Sequence, residues 1–288
     1  MFKRLLLVLL CVSLVFSLAA CGEKEGYEDD SWDEYDEEWE EEEDEEAYED
    51  EEDYEDVEGL RASGYKEGGD ENYLTFLEAR MKFETFLVEK ALNEGLVTGL
   101  SAVYIPDARI FHYLTPLIYW GETLEDEELQ YKEYAFLAFA GEGKSLKNPE
   151  LKKESDTHYT MTMETDEDEK LFMDVKYYPD MDALRLEAEN NGEKALVFEY
   201  VKIDGGYVSQ YYCETQIGGT YGEKIMGMCV FRSYFSGENG SAARFDNAEI
   251  PPSIIKNLPN EEDFIEDATH WISYKDGKLK GKLAGESF

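Results

Sequence analysis

Between residues 157 and 234 the apolar side chains fall at every second position, and that period of two constrains the fold more than any other feature. Tyr159, Met161 and Met163 alternate with Thr160 and Thr162. Leu171, Met173, Val175 and Tyr177 alternate with Asp174 and Lys176, and Leu184, Leu186 and Ala188 with Arg185 and Glu187. Strand-like runs continue over 195–203, 207–216 and 224–234. Turn formers separate them: Pro179-Asp180, Asn191-Gly192, Asp204-Gly205-Gly206 and Gly218-Gly219. Connections this short join antiparallel neighbours, because a parallel crossover needs about a dozen residues or more. The expectation is a six-stranded meander followed by a separate hairpin, 269–274 with 278–283, turning at Asp276-Gly277. The stretch 236–267, with Pro251-Pro252, reads as loops and a short helix near Ile254 or Glu261.

One long helix is predicted over 72–93. Tyr73, Phe76, Leu77, Phe83, Leu87, Val88, Ala91 and Leu92 recur at helical spacing, and Arg80 and Glu84 interrupt the stripe. Asp70 or Asn72 can cap its start, and Gly95 stands where a left-handed terminal residue belongs. The predicted class is therefore α+β: a long N-terminal helix packed on a curved, half-barrel-like antiparallel meander. Two further apolar stretches, 96–121 and 131–140, serve either as core or as the wall of a ligand pocket or partner groove.

The amino terminus carries an address. Lys3 and Arg4 precede an apolar run over 5–20 that is broken only by Ser13 and Ser17, the form of a secretory signal. The run ends Leu18-Ala19-Ala20-Cys21-Gly22. This segment resembles the lipobox of bacterial lipoproteins. The resemblance implies a signal peptide over 1–20, acyl-chain attachment (palmitate among them) at Cys21, and a mature chain beginning there. Two or more acyl chains give a stable anchor where one does not.

The next 39 residues, 22–60, hold 25 acidic residues and one basic residue, Lys24. They cannot bury enough apolar surface to offset chain entropy, so residues 21–60 read as a lipidated cysteine and a disordered acidic tether. At roughly 3.3 Å per residue it spans up to about 130 Å. The remaining 61–288 should form the globular domain. The whole chain has 27 Lys and Arg against 68 Asp and Glu, a net charge of -41. Nucleic acid is thereby excluded as a partner, since phosphate contacts need a basic surface.

Chemistry-bearing residues are sparse. Of the four cysteines, Cys11 lies in the signal segment and Cys21 in the lipobox. Cys213 and Cys229 flank the Gly218–Gly222 turn, and a hairpin centred on Tyr221 sets them opposite each other. They then form either a somewhat strained disulfide or two buried thiols that act as small hydrophobes. His112, His158 and His270 are isolated, with no HExxH or paired Cys-x-x-Cys, so no metal site and no cofactor are expected. The acidic turn at Asp166, Glu167, Asp168 and Glu169 reads as a solvated turn. Among the meander tyrosines, Tyr177, Tyr207 and Tyr211 are candidates to stack on a ligand, or are ordinary strand residues.

The leading functional expectation is a lipid-anchored protein on the extracytoplasmic face of a bacterial cell membrane. Its domain would bind a small apolar ligand or an envelope protein without catalysis. The alternative is an extracytoplasmic hydrolase or envelope-remodelling enzyme, which requires carboxylates or histidines gathered in one cleft. A transporter's solute-binding protein is third, disfavoured because the short-turn hairpins lack the repeated strand–helix units of that class.

Overall fold

The computed structural model describes residues 69–96, 103, 113–118, 146–165, 167–220, 223–283 and 285–288. The signal segment, the tether, His112 and the stretch 131–140 lie outside them.

The described chain is dominated by one antiparallel sheet of eleven strands in simple sequential order. They are β1 (Leu146–Ser155), β2 (His158–Thr165), β3 (Lys170–Tyr178), β4 (Ala183–Asn190), β5 (Glu193–Ile203), β6 (Gly206–Thr220), β7 (Glu223–Ser236), β8 (Asn239–Asp246), β9 (His270–Lys275), β10 (Lys278–Leu283) and β11 (Glu286–Ser287). The helices are α1 (Gly69–Asn93), α2 (Thr115–Ile118) and α3 (Glu261–Ile265), with a 3-10 turn at Pro179–Met181.

This overturns the expected α+β class of a long helix on a half-barrel-like meander. The protein is mostly β, and α1 is its one long described helix. The expected six strands and separate hairpin are one continuous sheet, because three unexpected strands extend and join them. β8 pairs β7 on one side and β9 on the other, which fuses the hairpin to the meander. β1 and β11 stand at opposite ends of the strand order, with no closing pair among the described residues.

The missed strands have physical reasons for being silent in sequence. β8 reads Asn-Gly-Ser-Ala-Ala-Arg-Phe-Asp and buries five successive residues, so no alternation appears. Gly240 has no room for a side chain: a Cβ there would meet the Tyr234 carbonyl oxygen at 2.4 Å. β1 contains Pro149 and three lysines. It lies at a sheet edge, and its register shifts between Lys147 and Glu150. An edge strand with a bulge tolerates proline because one row of N–H groups is unpaired there.

On one face of the sheet, alternation sends Met161, Met173, Leu186, Phe198, Tyr211 and Phe231 into a single core shared with Phe76, Phe83, Leu87 and Ala91 of α1. The Phe76 ring stacks on Tyr200 at 4.6 Å, and Phe83 on Phe235 at 4.8 Å. Such pairs add about 0.5–1.5 kcal/mol beyond their area burial. α1 ends in paired bonds from Leu96 N to Ala91 O (2.8 Å) and Gly95 N to Leu92 O (3.1 Å), with Gly95 at φ +77. That is the C-terminal motif its glycine predicts.

The opposite face carries a smaller cluster of Ala183, Val201, Val208, Ile254 and Phe264. Ile254 and Phe264 come from the segment between β8 and β9. Within it, Asn260 caps α3 by accepting from Asp263 N at 3.0 Å.

Candidate functional site

The residues singled out in sequence converge on the α1 side of the sheet. Tyr177, Tyr207, Tyr211, Cys213 and Cys229 all belong to the core that includes α1. Tyr177 is 9 % exposed, Tyr207 4 % and Tyr211 3 %. Their rings are engaged within the protein. Tyr207 meets Phe76 edge-on at 5.4 Å, and Tyr211 stacks on Phe198 at 4.3 Å. The Tyr177 hydroxyl donates to Asp182 Oδ1 at 3.3 Å and accepts from Asn72 Nδ2.

The interrupted helical stripe has its explanation here. Arg80 of α1 is 9 % exposed. It reaches Glu84 Oε1 at 2.6 Å and sits over the Tyr211 ring at 4.9 Å. Burial works against its charge, but Glu84 and Tyr211 more than compensate, and its pKa lies above the ordinary arginine range. Burial pushes the Tyr211 phenol up to about 12. Tyr200, fully buried, is raised in the same direction by burial, with Asp182 and neighbouring phenols adding to it.

A second polar group gathers around the two cysteines. Cys213 pairs directly with Cys229 across β6 and β7, the expected partners; the hairpin itself closes at Thr220↔Glu223, and a register shift between Gln216 and Gly218 restores the pairing expected of a turn centred on Tyr221. Cys229 Sγ donates to Asp246 Oδ1 at 3.4 Å and to Gly227 O at 3.7 Å. Asp246 Oδ1 also accepts from Arg244 Nε at 2.6 Å, and Asp246 Oδ2 lies 3.7 Å from His270 Nε2. Arg244 Nη2 donates to Gln216 O at 2.8 Å. Burial pushes the Cys229 thiol up to about 11, with Arg244 opposing and Asp246 reinforcing. Burial pulls His270 below its ordinary value, against the pull of Asp246.

This set contains thiol, carboxylate and imidazole, but in the wrong order for a nucleophile. An activated cysteine needs its base beside it and a lowered pKa. Here the carboxylate faces both the thiol and the ring, and the thiol is held protonated.

A third group lies on the other face. Glu199 is fully buried. Its carboxylate takes the Arg185 guanidinium, Ser253 Oγ at 2.6 Å, Ile254 N at 3.0 Å and Gln210 Nε2 at 2.9 Å. It therefore fastens the Pro251-Pro252 segment to the sheet. Sequence reasoning missed it, because a glutamate between Phe198 and Tyr200 reads as a solvent-facing strand residue. The neighbouring double proline was the available signal.

The two described histidines, His158 and His270, do not gather. His158 on β2 faces Asp174 at 3.1 Å, while His270 lies on β9, seven places away in the strand order. In the acidic turn, Glu169 accepts from Thr165 Oγ1 at 3.4 Å and Asn190 Nδ2 at 3.3 Å. Among the described residues no three His, Cys, Asp or Glu side chains are grouped to hold a metal ion.

Compared with family profiles, curated proteins and solved structures, the chain finds no match in any of the three.

Proposed function

We propose that the chain is a bacterial lipoprotein, held at the extracytoplasmic face of the cell membrane by acyl chains on Cys21. Its sheet domain is a non-catalytic binding module for an envelope protein or a small apolar ligand. The observation that carries this reading is the run Leu18-Ala19-Ala20-Cys21-Gly22 at the end of a positively started apolar segment. The acidic stretch that follows acts as a spacer between lipid and domain.

Support for binding over catalysis comes from how the buried polar groups are used. Arg80, Glu199 and Arg244 each have fixed partners inside the domain. A hydrolase needs acid and base poised across a substrate cleft, and His158 and His270 sit far apart in the sheet. Among the described residues every neighbouring strand pair is antiparallel and sequential, without the parallel crossovers of solute-binding proteins. On the Glu199 side of β3 and β4, Phe172 is 38 % exposed beside partly exposed Asp174, Lys176 and Glu189.

The test is metabolic labelling of cells with a radioactive fatty acid, with detergent phase partition of wild type and Cys21→Ala. The expected result is label and detergent partition for wild type alone. An unlabelled wild-type chain ends the lipoprotein reading. Native mass spectrometry of the detergent-extracted full chain then reports bound ligand as a discrete added mass.

A further inference from the structure

We propose that Cys213 and Cys229 become joined by a disulfide that ties β6 to β7 inside the core. The two are thiols in this structure. The inference rests on the extracytoplasmic reading above, because such bonds persist only outside the reducing cytosol.

Geometry carries the proposal. The two residues are direct register partners, in an unbroken ladder from Gly206↔Ser236 to Gln216↔Met226. Directly opposed antiparallel residues have α-carbons about 4.5–5.5 Å apart, within the 4.4–6.8 Å that disulfides span. Both side chains lie in the same core cluster, at 2 % and 0 % exposure. Forming the bridge replaces the Cys229 thiol's bond to Asp246. Asp246 keeps Arg244 and His270 as neighbours when the thiol leaves. After cleavage before Cys21 and acylation of its sulfur, Cys213 and Cys229 are the only thiols left in the chain. No competing pairing then exists.

The oxidant is a protein disulfide of an extracytoplasmic thiol oxidase. One cysteine, as thiolate, attacks that disulfide, and an oxidant thiol leaves. The other cysteine attacks the mixed disulfide, closing the S–S bond and releasing the second oxidant thiol. The chain loses two electrons and two protons, and the oxidant departs as a dithiol. Exchange takes place while β7 is still docking, when both sulfurs are in water and ionise in the ordinary thiol range.

The experiment uses the full chain from its own cells, quenched in acid. It is then denatured and treated with iodoacetamide, before and after a reductant, and read by intact mass. The expected spectrum shows acyl groups on Cys21, no alkylation before reduction and two alkyl groups after it. Two alkyl groups without reductant, on a chain carrying the lipid, overturn the bridge and leave the location standing. If Cys21 carries no lipid, the location reading fails, and a refolded chain carrying Cys11→Ser and Cys21→Ser is equilibrated with oxidised glutathione instead. An intramolecular bond then supports the pairing, and glutathione adducts or unchanged thiols overturn it. In Cys213→Ser, Cys229 should alkylate without reductant, and continued protection there overturns the bridge. Because alkylation is done in denaturant, this readout does not depend on the variant folding.

Discussion

The Arg80 guanidinium on α1 lies 4.9 Å from the centre of the Tyr211 ring on β6. A charged side chain in the middle of an apolar helix stripe is therefore a helix-to-sheet contact. Cation–π attraction reaches about 2 kcal/mol when desolvated, and removing one member of a buried ion pair leaves the other uncompensated. Arg80→Ala should lower stability by about 2–3 kcal/mol in urea unfolding. Arg80→Ala with Glu84→Ala should cost less than the two single losses summed. Additive losses would show that the pair is uncoupled.

Alkaline pH should unfold this protein early. In the reduced chain the Tyr211 phenol moves from its ordinary 10 to about 12, and the Cys229 thiol from 9 to about 11. For a group whose folded pKa is raised, the stabilising contribution is complete below the unfolded value and is lost as pH rises through the folded one. Stability should thus decline from about pH 9 upward, each titrating group adding a slope of about 1.4 kcal/mol per pH unit. The measurement is urea unfolding at a series of pH values, with tyrosinate absorbance followed in parallel. Tyr211→Phe should flatten the curve above pH 10, and an unchanged slope would remove Tyr211 as a contributor.

Glu199 fastens the segment between β8 and β9. Glu199→Ala should cost about 3–5 kcal/mol, because Arg185 and Gln210 lose a buried partner. Amide exchange at Ile254 should accelerate more than exchange at β2, which touches none of these groups. Uniform acceleration would mean that the carboxylate serves global stability alone.

Gly281 has a close-approach role. A Cβ there would meet Trp271 O at 2.5 Å and Phe288 Cζ at 2.6 Å, and its backbone exchanges hydrogen bonds with Phe288 at 3.2 and 3.1 Å. Gly281→Val should destabilise by about 1–3 kcal/mol through forced displacement of these neighbours. A shift in Trp271 fluorescence should accompany it. Unaltered stability and emission would show that the terminal pairing is dispensable.

What the sequence revealed follows from what water touches. β2 to β7 could be read because much of that stretch has one wet and one dry face, so apolar and polar residues alternate. β8 was silent because both its faces are covered and its residues shrink to Ser241, Ala242 and Ala243 to fit. β1 was silent for the opposite reason, as an edge rich in lysine. The class was misjudged on those two strands, since β8 alone turns a meander and a hairpin into one sheet. At the candidate site, the register of Cys213 and Cys229 followed from turn arithmetic. Period two also placed Tyr177, Tyr207 and Tyr211 on one face, but it carries no information on what covers that face. Glu199 was invisible because its partners come from neighbouring strands and a loop, and Arg244 and Asp246 because Gln216, Cys229 and His270 reach them from other strands.

Among the described residues the sheet ends in two margins, with no pair that closes it. At the β1 margin Pro149 withholds a hydrogen-bond donor, and the exposed ammonium groups of Lys152 and Lys153 pair with Glu154 and Asp156 on the same strand or its turn. A second copy offering its own β1 would meet a charged edge and a broken ladder. Among the described residues the β1 margin is therefore a poor template for strand addition, and it limits sheet-to-sheet growth between copies.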